Sequence, residues 1–140
     1  MKRYAALYAE FTGTFAMVFC GTAAMAVNET IGGVTHEGVA ITWGLIVMVM
    51  IYAFGSQSGA HFNPAVTTGF ALAKRFPWKK VPAYLITQTA AAVVASLAVK
   101  TIIPQSKILG ATIPSIPYES AFWLEFLLSF FLMIVILHIS

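Results

Sequence analysis

Charge is scarce in this chain. Eight Lys and Arg and five acidic residues make up 9% of its 140 positions, against about 25% in an ordinary soluble domain. With a hydrophobic share of 59% and a mean hydropathy of +0.85, it carries more apolar surface than a globule of this size buries. That excludes a soluble single domain and a disordered tail. A net charge of +3 divided between two clusters is no phosphate-binding stripe and argues against nucleic acid as a partner. Cysteine is nearly absent: Cys20 is single, lies in an apolar run and can form no intrachain disulfide. Nucleophile–base pairs and ligand clusters are missing too, and His36 and His138 have no metal-site spacing. The sequence therefore offers no enzyme, no metal and no cofactor. The reading that remains is an all-α membrane protein whose main partner is the lipid bilayer.

A helix needs about 20 residues to cross the hydrocarbon layer. Four stretches qualify, at about 4–27, 38–55, 81–99 and 118–140. Glu10 makes the first run, with its basic start at Lys2 and Arg3, a poor cleaved signal peptide. Lys2, Arg3, Lys74, Arg75, Lys79 and Lys80 flank the spans with no acid among them, whereas the first connection holds Glu29 and Glu37 and nothing basic. The positive-inside rule then puts the N-terminus on the cytoplasmic side of a cell (plasma or inner) membrane. Trp78, Tyr84, Tyr118 and Trp123 suit interfacial belts, and packing positions equally well.

From Gly38 to Ala73 there is no charged residue, a stretch too long for one span and too short for two with a turn. Inside it stands Ser58-Gly59-Ala60-His61-Phe62-Asn63-Pro64-Ala65-Val66-Thr67. Asn is among the best helix N-caps, and Pro fits the first helical position, where its missing N–H costs nothing. A helix over 64–73 would rise about 15 Å, half a bilayer. The chain is therefore expected to dip inward through an extended Ser56–Phe62, turn at Asn63 near the midplane and climb out as a half-helix. Non-helical backbone at that depth is tolerated only when buried or lining a water-filled cavity, so the Gly59, Ala60 and His61 carbonyls need something polar to face. With its oxygen capping Ala65 or Val66, Asn63 would keep its NH₂ as a donor in the positive field of the helix end. Such a site welcomes neutral hydroxylic solutes and repels cations.

Glu10-Phe11-Thr12-Gly13-Thr14-Phe15 has an echo in Glu125-Phe126-Leu127-Leu128-Ser129-Phe130. A carboxylate inside a span is expensive unless hydrogen-bonded. Glu10 is expected to accept N–H groups of the re-entrant segment, and Glu125 to do the same for a counterpart; for Glu125 a snorkelling position is the alternative. Three spans separate the copies, which inverts the second. The expected organisation is a first repeat over 1–117, with three spans and one half-helix, and the opening span of a second repeat over 118–140 whose remainder is missing.

These residues resemble the major intrinsic protein (aquaporin and aquaglyceroporin) family. Ser58–Thr67 is similar to its first Asn-Pro-Ala box, and Ala9–Phe15 to its first-helix signature. The resemblance implies a right-handed bundle of six spans and two half-helices, usually a homotetramer with one pore per subunit. It implies pore roles for Asn63, Pro64, Ala65 and the Gly59, Ala60 and His61 carbonyls. Trp43 falls at a selectivity-filter position, where Trp is typical of glycerol-conducting and nodulin-like members; a packing Trp is the alternative. The implied solutes are glycerol, water, urea and metalloid hydroxides. The second box and the remaining filter positions have no counterpart in these 140 residues, so a non-conducting membrane fragment is the competing expectation.

Overall fold

The computed structural model describes residues 2–139; Met1, Ser140 and the side chains of Lys2 and Arg3, hence the basic N-terminal pair, lie outside the described residues. Five α-helices follow one another: α1 (Lys2–Ile31), α2 (His36–Ser58), α3 (Pro64–Leu72), α4 (Val81–Ile102) and α5 (Tyr118–Ile139), with a 3₁₀ turn at Trp78–Lys80 before α4. Four of them, at Tyr4–Ile31, His36–Ser58, Trp78–Ile102 and Tyr118–Ile139, are long and apolar enough to cross a membrane. With 9 residues, α3 reaches about 13 Å, half that distance.

α1 is the spine: α2 packs along one side of it, α4 along another, α3 sits on α4, and α5 touches α3. The α4 face that does this is written at helical spacing. Val81, Tyr84, Gln88, Ala91, Ala95 and Val99 are buried, at the three- and four-residue steps that put side chains on one stripe. Ala91 and Ala95, like Ala9 and Ala26 of α1, are fully buried, and such small residues let membrane helices approach closely by packing alone. α5 is different, with no residue buried along its length.

Helix ends depart from the expected spans where local capping decides. α1 continues through Asn28 and Glu29 to Ile31 and stops at Gly32, whose φ of 69° suits only the left-handed cap that glycine accepts readily. Thr35 then caps α2, its hydroxyl accepting from the Gly38 N–H at 3.2 Å. At its other end α2 runs to Ser58, so the expected extended Ser56–Phe62 is corrected to a much shorter break. Gly59, at φ 91°, returns its N–H to the Gly55 carbonyl and ends the helix. Tyr84 is 5% exposed and belongs to the packing, not to an interfacial belt.

Residues 103–117, which the sequence leaves as a plain connection, are tied to the end of α1. Glu29 Oε2 accepts from the Ser106 hydroxyl at 2.5 Å and Oε1 from the Lys107 N–H at 3.0 Å. Ser106 Oγ in turn accepts from the Leu109 N–H at 3.0 Å. Glu29→Ala is expected to strip hydrogen-exchange protection from the Lys107 amide while leaving α4 amides unchanged; unaltered exchange at Lys107 would contradict the tie.

Candidate functional site

The break between α2 and α3 is short and conformationally costly. Besides Gly59, Ala60 and Phe62 both have φ of 51°, a left-handed conformation that costs a residue with a Cβ about 1–2 kcal/mol. Neighbours hold each of these turns. The Ala60 N–H donates to Ser58 Oγ at 3.0 Å, and Tyr84 donates its hydroxyl to the Ser58 carbonyl at 2.9 Å. From α1, Thr14 donates to the Phe62 carbonyl at 2.9 Å.

Glu10 carries the centre of this arrangement. Fully buried, it accepts from the His61 N–H at 3.0 Å, the Phe62 N–H at 2.7 Å and the Gln88 side-chain amide at 2.7 Å. The same Gln88 amide donates to Thr67 Oγ1 at 2.9 Å, and the Thr67 hydroxyl faces the Asn63 carbonyl at 3.1 Å. The network thus runs from α1 through α4 into the first turn of α3. Among the described residues no buried side-chain nitrogen or oxygen lacks a partner, as a buried polar network must if it is to rigidify its surroundings.

Two further contacts fix the geometry. The Phe62 ring occupies the notch left by Gly13: a Cβ there would sit 2.1 Å from Phe62 Cε1. The His61 ring is 7% exposed, stacked on Phe70 with centroids 4.6 Å apart and edge-on to Phe76 at 4.7 Å. Its Nδ1 lies 3.1 Å from Thr67 Oγ1.

α3 starts as local chemistry dictates. Asn63 is extended (φ −146°, ψ 132°), its Oδ1 accepts from the Ala65 N–H at 2.8 Å, and Pro64 takes the first helical turn. Asn63 is exposed, and it borders a cavity of about 300 Å³ with Ala65 and Val66 on one wall and Phe126, Ser129 and Met133 of α5 on the other. Ser58 and Phe62 carbonyls are engaged, whereas those of Gly59, Ala60 and His61 accept no hydrogen bond among the described residues. Of the expected site residues, Asn63 and Ala65 line this cavity; Gly59, Ala60 and His61 form the break that leads to Asn63 and Pro64, and Glu10 holds that break from α1.

Glu125 and Trp43 are not part of this arrangement. Glu125 is exposed on α5, which is packed too lightly to enclose it. The Trp43 indole lies over Gly21 of α1, where a Cβ would be 2.2 Å from Trp43 Cε2, and it does not line the cavity at Asn63. Thr14, Thr67, Tyr84 and Gln88 are members that the sequence reading missed. The signal for Gln88 was present: an amide in an apolar span, on the stripe of Tyr84, Ala91 and Ala95.

Three comparisons bear on this arrangement. The family model described as "Major intrinsic protein" matches residues 1–140. Aquaporin NIP1-4 of Oryza sativa subsp. japonica is 46% identical over 135 residues, covering 96% of this chain and 50% of that protein. Aquaporin NIP6-1 of Arabidopsis thaliana is 46% identical over 134 residues, covering 95% of this chain and 44% of its own length. Among solved structures, the aquaglyceroporin from Plasmodium falciparum aligns with a TM-score of 0.65 at 32% identity, over 71% of this chain and 42% of that one. The chain spans about half the length of the curated relatives it matches.

Proposed function

This chain belongs to the major intrinsic protein family, a multi-pass membrane protein by that membership and its four apolar helices, and we propose that it forms one half of a passive channel for small neutral solutes. The observation that carries this reading is a half-length helix whose entry is held by a buried carboxylate, with the exposed Asn63 beside a cavity at its tip. Asn63 offers N–H to a solute oxygen; the Gly59, Ala60 and His61 carbonyls accept its hydroxyl protons. The N-terminus of α3 adds about half a positive charge, which disfavours cations. Glycerol and water satisfy both sets of groups, as would urea or a metalloid hydroxide. The reading needs no cofactor and no covalent chemistry.

The relatives named aquaporin and aquaglyceroporin support the solute class. A homotetramer, with the N-terminus on the cytoplasmic side, is the assembly we propose for the completed channel; the repeat over 1–117 would supply one half-pore and α5 the start of the other. Glu125 would then accept N–H groups from a second re-entrant segment. Trp43, between α1 and the open side of α2, would present its indole to the carbon backbone of a passing polyol.

A second reading, favoured by the exposure of Asn63 and of the large apolar residues along α5, is that these 140 residues alone insert without conducting. Proteoliposome shrinkage and reswelling in a glycerol gradient separates the two. Flux above empty vesicles with this chain alone removes the second reading; flux that appears only when a second half is supplied removes autonomous conduction. In whichever assembly conducts, Asn63→Asp puts a carboxylate at the tip, keeps the cap and is expected to admit a cation leak. An unchanged leak would sink the donor-site account.

A further inference from the structure

A second cavity, of about 500 Å³, opens at the other end of the re-entrant unit, between the first turns of α1, the last of α2 and the start of α4. Leu7, Ala83 and Phe76, all partly buried, supply apolar lining, and the exposed Gln57, Lys79 and Lys80 line its solvent side. Lys80 Nζ lies 6.0 Å from the centroid of the Phe76 ring, a cation–π distance that keeps the ammonium at the opening. Neither lysine enters the Glu10 network. Glu10 itself, one turn beyond Ala6, is fully buried and turned to three donors, so among the described residues no carboxylate lines the cavity. Between Lys74 and Lys80 the chain carries no acid.

We propose that this cavity binds the headgroup of an anionic phospholipid, its phosphate between Lys79 and Lys80 and its glycerol backbone against Leu7, Phe76 and Ala83. A lipid fits better than a soluble anion because the cavity combines cationic donors with an apolar lining. It also lies where two spans begin, beside the half-exposed Trp78 (56%) that suits the interfacial layer. Basic pockets between membrane helices hold such headgroups, each lysine near the surface being worth about fivefold in binding. The site is separate from the Asn63 tip and does not depend on whether the chain conducts.

The test is native mass spectrometry of the purified chain titrated with phosphatidylglycerol or phosphatidylcholine. One phosphatidylglycerol per chain is expected to bind about tenfold more tightly than phosphatidylcholine, two lysines acting with partial additivity. K79Q/K80Q should abolish the preference, and because both lysines are exposed the helical circular dichroism should be unchanged. The charge-matched pair K100Q/K107Q, on the opposite end of α4 and the connection beyond it, should leave it intact. A83W should abolish it with every lysine retained. Equal losses from the two lysine pairs would reduce the effect to net charge and overturn the site. So would a folded A83W that keeps the preference. Displacement of the lipid by millimolar inorganic phosphate would assign the cavity to a soluble anion and overturn the lipid.

Discussion

Replacing Glu10 by Leu is expected to cost about 3–5 kcal/mol and to release the break before α3 from α1. The magnitude follows from what stays behind. Glu10 accepts from two backbone N–H groups and one side-chain amide in a buried site. At the ~0.6 kcal/mol averaged for hydrogen bonds between membrane helices, three bonds come to only about 2 kcal/mol. The larger part comes from the orphans, since a buried donor without an acceptor costs about 1–3 kcal/mol. His61 and Phe62 cannot recover by turning to water, because both are buried. Glu10→Gln separates shape from acceptance: one oxygen remains, but the new NH₂ confronts donors, and an intermediate loss is expected. Unfolding in graded dodecyl sulfate measures both variants, and a Glu10→Leu protein as resistant as the parent would remove the carboxylate from its structural role.

The second large effect is steric. Gly13→Ala places a Cβ where the Phe62 ring now sits, 2.1 Å from Cε1. The ring has little freedom to yield, since Phe62 is held at its N–H by Glu10 and at its carbonyl by Thr14, in a left-handed conformation. A cost of about 3 kcal/mol or more is expected, at the upper end for overpacking. Gly44→Ala is the contrasting case. Nothing lies within 4 Å of a Cβ built there, so the helix should gain about 0.5–1 kcal/mol. Gly13 and Phe62 are coupled in a double mutant: in a Phe62→Ala background the notch is empty, and Gly13→Ala should add almost nothing. An undiminished penalty in that background would mean that Gly13 is required for some reason other than the ring.

Much of the fold was legible because its cues are local or energetically expensive. The long apolar spans and the Asn63-Pro64 helix start each follow from the chemistry of adjacent residues. Glu10 stood out because a carboxylate in a span must find donors. Family membership followed from the Asn-Pro-Ala context. What the sequence could not say was which distant groups complete the arrangement. Gln88 and Thr67 are ordinary polar residues until α4 and α3 bring them to Glu10. The match between the Gly13 notch and the Phe62 ring is a property of packing, invisible in either segment. The length of the break was misjudged because α2 continues through Ser56 and Gln57 until a left-handed glycine ends it. Glu29 read as a loop residue because its partners, Ser106 and Lys107, lie far along the chain. Trp43 was placed by resemblance, and the contact its ring makes with Gly21 of α1 could not be read from either segment.

Everything in the functional reading depends on how deep α3 begins. Ala65, in the first turn and exposed, is a place for a nitroxide label once Cys20 is replaced by Ser. Power-saturation electron paramagnetic resonance with oxygen and a water-soluble nickel chelate in liposomes then gives its depth. A label about 15 Å inside the hydrocarbon boundary, half of a ~30 Å layer, is the predicted result. A label at headgroup depth, with the chelate's access of a surface turn, would contradict it.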